Sequence, residues 1–478
     1  MKLGKVLRLS SVLCLGALPL AAQETNNVEQ LKKQLQELQQ KFQKQQEERR
    51  QQIEALQKQL EALLLQQQKP EQAAATNQSS ATNPAPAVPF PSSPADQPWS
   101  SSQPISLGRA GSAYMNVSFD ALVDFGGSTA RDPSARLQLG DHDPIQRGFS
   151  LRNAEIALDG AVDPYLKGFA NIVFKLEKDQ STTVELEETY LQSVTLPANL
   201  QLKAGQFFAN FGRQNAQHPH VWEFVDQPLV LNRAFGPDGL RNIGGQLSWL
   251  LPTPFYTEGF LGVFNGQGGT AFSFRNLEQE GNHGRTPIDR GLRGPGDLLY
   301  APRITSSFDL TDQQTLVVGA SAAFGPNDSG PHSRTEVYGV DGYWKWKSAH
   351  ANQGFPFVSW QTEALYQRFG AGEDVSAGLS AENLRDWGFY SQLLWGIKPR
   401  WVAGLRGEFV TGNDGAFDAS DIFRGDRTRV SPNLTWYPSE FSKIRLQYNY
   451  DHSQLFGDDH SVWMQVEFLL GSHAAHKF

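Results

Sequence analysis

The sequence predicts an all-β transmembrane barrel of about sixteen antiparallel strands, up-and-down in order, preceded by an N-terminal α-helical coiled coil. Three observations carry the prediction. From Ser112 to Phe478 apolar and polar residues alternate with a period of two, the signature of strands with one greasy and one wet face. Long polar connections alternate with tight turns along that stretch, as in barrels that keep short turns on the periplasmic side and long loops outside. Beyond the first two dozen residues no apolar run approaches the ~18 residues of a membrane helix, which excludes a helical membrane protein but not a barrel, whose alternation dilutes the hydropathy signal.

The totals agree. The chain has 478 residues, 39% of them hydrophobic, with 44 Gly, 30 Phe, 11 Trp and 12 Tyr, a composition suited to many turns and aromatic girdles. Mean hydropathy is -0.44 and the pI about 5.7. A net charge of -8 argues against nucleic acid as a partner.

Residues 1–22 read as a secretory signal: Lys2, Lys5 and Arg8 give a basic start, Val12 to Leu20 an apolar core, Ala21-Ala22 a small-residue exit. Cys14, the single cysteine, sits in mid-core, with Ser11 where a lipoprotein motif would have leucine, so neither lipidation nor a disulfide is expected. Residues 23–68 read as a periplasmic coiled coil. Val28, Leu31, Leu35, Leu38 and Phe42 recur at 3-4 spacing, and Ile53, Leu56, Leu60 and Leu63 resume it after a stutter. So narrow a stripe needs partner helices, and an oligomer is expected. Residues 69–111, rich in Pro, Ala, Ser and Gln, read as an extended linker.

Within 112–478, strands are expected near Tyr114–Phe125, Phe149–Val162, Leu166–Leu176, Val184–Leu196, Leu200–Phe208, Ile243–Leu250, Phe255–Phe264 and Tyr300–Phe308. The second half continues near Thr315–Phe324, Thr335–Lys347, Phe357–Arg368, Trp387–Ile397, Trp401–Val410, Arg427–Trp436, Ser442–Asp451 and Ser461–Leu470. Tyr338, Trp344, Trp346, Trp360, Tyr366, Trp395, Ile397, Leu434 and Trp436 fall on faces suited to lipid and interfacial girdles. The opposite faces carry Arg152, Glu155, Lys167, Lys175, Glu185, Glu187, Lys203, Arg303, Glu363, Arg406, Glu408, Arg429, Arg445 and Glu467. These are costly against hydrocarbon and are expected in a water-filled lumen. Both signs are mixed there, which favours a general solute channel over a strongly anion-selecting one.

The stretch Lys203-Ala204-Gly205-Gln206-Phe207 through Phe211-Gly212 resembles the phosphate-selective porin O and P family. That family carries a Gly-Gln-Phe followed by Pro-Phe-Gly; here Asn210 replaces the proline. Arg241-Asn242-Ile243-Gly244 with Gln246-Leu247, and Gly262-Val263-Phe264-Asn265-Gly266, extend the resemblance over roughly Ser112 to Phe478. It implies a sixteen-stranded barrel in the outer membrane, a homotrimer, and a third external loop folded into each pore. Carried over residue by residue, it puts Arg213, Arg233 and Arg241 nearest the constriction, with Lys203, Lys167 and Arg303 facing the lumen by alternation. Glu223, Asp226 and Asp238 dilute the positive charge of that loop. The terminal Phe478 fits the aromatic ending of such barrels, although Gly471 to Lys477 does not alternate.

The function expected is passive diffusion of small hydrophilic solutes, anions such as phosphate included, across the outer membrane. The alternative is a structural barrel tying that membrane to the cell wall through the coiled coil. No catalytic residue, cofactor or metal is expected. There is no Gly-x-Ser-x-Gly elbow, phosphate loop or Cys nucleophile. His218-Pro219-His220 has no third ligand at regular spacing and reads as a solvated loop pair, as do His473 and His476.

Overall fold

The computed structural model describes residues 104–278 and 280–471. The expected leader and coiled coil, most of the 69–111 linker, and the C-terminal residues with His473, His476 and Phe478 lie outside the described residues. Among the described residues no helix is long and apolar enough to cross a membrane.

The strands are β1 (Ile105–Ala110), β2 (Ala113–Ser128), β3 (Gly148–Ala161), β4 (Leu166–Leu176), β5 (Thr182–Ser193), β6 (Leu200–Phe208), β7 (Arg241–Leu250) and β8 (Tyr256–Phe264). They continue with β9 (Leu299–Thr311), β10 (Gln314–Pro326), β11 (Arg334–Asn352), β12 (Phe355–Ala371), β13 (Glu382–Lys398), β14 (Trp401–Gly412), β15 (Arg427–Ser439), β16 (Ser442–Ser453) and β17 (Gly457–Leu470). From β2 onward each strand pairs antiparallel with the next. The last returns to the first, with Ser461 opposite Ser128 and Leu470 opposite Phe119, so sixteen strands close into a barrel. Closure leaves no edge for lipid to meet. Each of the sixteen expected strands is present.

β1 was not expected. It lies in the stretch read as linker and pairs with β2 from Ile105 opposite Val117 to Ala110 opposite Ala113, beyond the point where β17 stops. There β2 has an open edge, and β1 satisfies it. Its apolar signal is only Ile105 and Leu107 between Pro104 and Gly108, too short to read as a strand.

Alternation decides which face is which. On β16 Arg445, Gln447 and Asn449 are buried toward the interior while Leu446 and Tyr448 are exposed outside. Tyr338, Trp360, Tyr366, Trp395, Ile397, Leu434 and Trp436 are all exposed, as lipid-facing residues are; Trp344 and Trp346 are half-buried. On β13 the outward Trp387 and Trp395 bracket Leu393, which is 46% exposed. Leu393→Arg should therefore cost about 2–4 kcal/mol, the scale for arginine near the bilayer midplane. Urea-dependent folding into vesicles, followed by tryptophan fluorescence, measures it; an unchanged midpoint would take this face out of the hydrocarbon.

Gly205 shows why glycine is needed in the resembling motif. Its φ is +143°, and a Cβ there would stand 2.1 Å from the Thr189 carbonyl oxygen on β5. The β5–β6 pairing requires a residue with no side chain at this point.

Candidate pore constriction

The connection from β6 to β7, residues 209–240, is lodged inside the barrel. Its two ends are tied together by Asn215, whose Nδ2 donates to the carbonyls of Ala209 (2.8 Å) and Leu240 (3.0 Å) while its Oδ1 accepts the Leu240 amide at 2.8 Å. Gly212, with φ +59°, turns the chain inward, and its amide donates to the Ser321 hydroxyl on β10 at 3.1 Å. On β12, Glu363 Oε1 accepts the amides of Arg213 and Gln214, both at 2.8 Å, and the Tyr390 hydroxyl at 2.7 Å.

Further on, the segment is fastened to β14, β15 and β16. Asn433 of β15 donates to the Glu223 carbonyl at 2.8 Å, Arg445 of β16 to the Trp222 carbonyl at 2.9 Å, and the Val225 amide donates to Gln447 at 2.9 Å. Asp226 is the densest anchor. One carboxylate oxygen accepts from Arg406 and from Gln447 (2.8 Å), the other from Arg429 and Asn449 (both 2.9 Å). Burial alone would push its carboxyl up, but the Arg406 and then the Arg429 guanidinium outweigh burial and hold it below the ordinary carboxylate range. The Gln227 amide donates to Asp143, on the β2–β3 connection, at 2.9 Å.

A short helix follows, α1 (Leu229–Phe235), too short to be stable alone. It is held by burial. Leu229, Val230, Leu231, Ala234 and Phe235 join Phe211 and the inward Val337, Leu365, Tyr390 and Val410 in one apolar cluster. The Leu229 amide donates to Glu408 at 2.6 Å, and Gly236, with φ +77°, ends the helix. An apolar cluster inside the barrel departs from the uniformly polar lumen expected from alternation. So does the burial of the charges. Arg406 and Arg429 are each 1% exposed and Arg445 is fully buried, sequestered under the segment and not bathed in water. Alternation tells which face a side chain takes, not what covers it.

The six cations expected along the pore, three nearest the narrows and three facing the lumen, are dispersed. Arg233 is buried and donates to the carbonyls of Phe423 (2.5 Å), Arg424 (2.7 Å) and Gly425 (2.8 Å). Arg241 is buried, paired with Glu185, and donates to the Glu187 carbonyl at 2.8 Å. Arg303 forks onto Asp341 at 2.6 and 3.0 Å. Arg213 is half-buried, its guanidinium 4.3 Å from the centre of the Tyr343 ring. Lys203 is half-buried over the Tyr190 ring at 4.2 Å, and Lys167 is exposed. Lys167 and Lys203 stand opposite Gln192 from its two sides, in one cross-strand row toward the short-turn rim.

The expectation of a solvated His218-Pro219-His220 is overturned: His218 and His220 are 6% and 2% exposed. His218 Nδ1 lies 2.8 Å from Glu187 and its Nε2 2.9 Å from Glu188. Burial works against a charged ring, but Glu187 foremost, with Glu155 and Glu188, raises His218 well above its ordinary value.

No known protein-family profile matches the chain. Among solved structures, the outer membrane channel DcaP of Acinetobacter baumannii is similar in fold, with a TM-score of 0.50 and 13% identity over 75% of this chain and 97% of that one. An anion-selective porin from Comamonas acidovorans overlaps 74% of this chain and 100% of its own, at a TM-score of 0.47 and 9% identity. An uncharacterized protein of Aquifex aeolicus (strain VF5) is 32% identical over 351 residues, which cover 70% of this chain and 71% of the relative. With an outer-membrane porin fold and identity at that level over most of both chains, the protein belongs to the family of this Aquifex aeolicus protein.

Proposed function

We propose that the protein is an outer-membrane porin giving passive diffusion to small hydrophilic solutes through a lumen narrowed by residues 209–240, its third external loop. The observation that carries this reading is the lodging of that segment between Glu187 and Glu188 of β5 on one wall and Glu363, Arg406 and Arg429 of β12, β14 and β15 on the other, inside a barrel whose outer face is apolar. Anions such as phosphate are the solute class favoured by Lys167, Lys203 and Arg213, the three expected cations that are not deeply buried. The resemblance to the phosphate-selective porin O and P family belongs to this proposal, as do a homotrimer and the coiled coil read from the sequence of residues 23–68.

Planar-bilayer recording tests it. The purified barrel should give stepwise ion conductance, and a barrel that carries no current would end the reading. Arg213→Glu with Lys203→Glu should move the reversal potential in a KCl gradient toward cation preference by at least about 10 mV, since charges beside a low-dielectric channel are weakly screened. An unmoved reversal potential would place the selectivity-determining region elsewhere.

A further inference from the structure

His218 and His220 are pressed against a wall of carboxylates. Asp120 of β2 and Glu155 of β3 are direct cross-strand partners, both fully buried, and Glu187 of β5 stands beside them. Like charges directly opposite destabilise a strand pair, and the low dielectric of a buried site strengthens the repulsion. Lys443, which donates to the His220 carbonyl, supplies part of the offsetting charge but is itself paired with Glu467 at 2.5 Å, which leaves the cluster acidic.

Two groups of ligand atoms converge here, each with all atoms within 4.8 Å of one another: Asp120, Glu155 and His220, and Glu155, Glu187 and His218. They are not equivalent. In the second, Glu187 accepts the Asn171 amide at 2.7 Å and lies 2.8 Å from His218 and 3.2 Å from His142, so its charge and its lone pairs are met. In the first, Asp120 takes one long bond from Asn153, at 3.4 Å to Oδ1, and its other side-chain partner is a second carboxyl, that of Glu467. His220 Nδ1 stands 3.1 Å from Glu155 Oε2. One imidazole nitrogen with two carboxylates is the donor set of a borderline divalent cation, and a dipositive ion neutralises the two carboxylates.

We propose that Asp120, Glu155 and His220 form a binding site for a divalent transition cation of the Zn²⁺ type, clamping residues 209–240 to the β2–β3 wall. His218 takes the role of support. Its Nδ1 faces the other oxygen of Glu155 at 3.7 Å, and its ring stacks on His220 with centroids 5.7 Å apart. Ligands drawn from β2, β3 and the loop explain why no local spacing revealed them.

The test uses the full chain, folded and stripped with EDTA, in a His473→Ala/His476→Ala background that removes the C-terminal histidines. Equilibrium dialysis against Zn²⁺ should leave one ion per chain, and X-ray absorption should show a first shell of N and O at about 2.0–2.2 Å without sulfur. Asp120→Asn and His220→Ala should each weaken retention at least a hundredfold, while His218→Ala, a support, should cost about tenfold, the lower end for groups behind the ligands. Heat-modified gel mobility confirms that each variant keeps its barrel; should His220→Ala fail to fold, Asp120→Asn and the absorption spectrum carry the test. Less than a tenth of an ion per chain, affinity unchanged in Asp120→Asn, or a first shell lacking imidazole would overturn the site.

Discussion

Asp226→Ala should open the barrel: single-channel conductance is expected to rise at least about twofold and to become noisy, with the barrel itself still folded. Four donors from β14, β15 and β16 converge on this one carboxylate, and its removal leaves them facing an apolar methyl in a buried site. Breaking a buried ion pair by deleting one partner costs about 3–5 kcal/mol. Here the lower end applies, because Arg406 keeps Glu408 at 2.7 Å and Arg429 keeps Asp451 at 2.6 Å. About 3 kcal/mol is a factor of roughly 150 in the closed-to-open ratio of the loop. Asp226→Asn should be little better, since its amide nitrogen would point a donor at donors. Unchanged conductance in both variants would mean that this clasp does not hold the loop in the lumen.

The same clasp has a pH signature. A carboxyl held below its unfolded value contributes stability that is complete above that value, about 3.9, and lost as pH falls through the lower folded value. Wild-type conductance should therefore hold steady on this account down to about pH 4 and rise only below it. Asp143, which accepts the Gln227 amide, behaves oppositely. Burial first, and then the charge of Asp226, pushes it up to about 7, so its contribution declines as pH rises from about 4 to 7 and is flat above. Asp238, on the same segment and likewise pushed up to about 7 by burial, changes charge in that window too, so a conductance change between pH 8 and 6 belongs to Asp143 when Asp143→Asn abolishes it, and one below pH 4 belongs to Asp226.

What the sequence made legible follows from the range over which its signals act. Alternation is local, so Ile444 to Tyr450 alone suffices to identify β16 and its lipid face, and the sixteen strands could be read one at a time. The clasp was not readable in this way. Asp226 and Arg429 are 203 positions apart, and Asp226 looked like a dilution of the positive loop when it is the residue that neutralises two arginines. His-Pro-His was legible as a pair, and Glu155 as inward-facing. Their meeting depended on how deeply the loop enters the barrel, which no periodicity encodes. One local signal does point to the loop: Val337, Leu365 and Val410 occupy inward positions among polar neighbours, and apolar side chains in a wet lumen call for a cover.

That cover is α1, and Phe235→Ala should release it. Phe235 is 1% exposed and meets Phe211 edge-on, with ring centroids 4.9 Å apart. Truncating a fully buried phenylalanine costs about 3–5 kcal/mol, in lost transfer energy and in the cavity left behind. A seven-residue helix cannot recover that from its own hydrogen bonds, because below roughly 12 residues an isolated helix is marginal. The anchors at its two ends, Glu408 on the Leu229 amide and Arg233 on the carbonyls of Phe423, Arg424 and Gly425, would remain. They fix the ends without burying Leu365, Tyr390 or Val410. Proteolysis within residues 209–240 should accelerate by about two to four orders of magnitude, the equilibrium equivalent of that cost, while heat-modified mobility of the barrel stays unchanged. Phe235→Leu, close in volume, should cost less than about 1.5 kcal/mol and leave the loop protected. Equal cleavage of the alanine variant and the wild type would show that the polar clasps alone hold the segment, and that the apolar cluster is filling and not fastening.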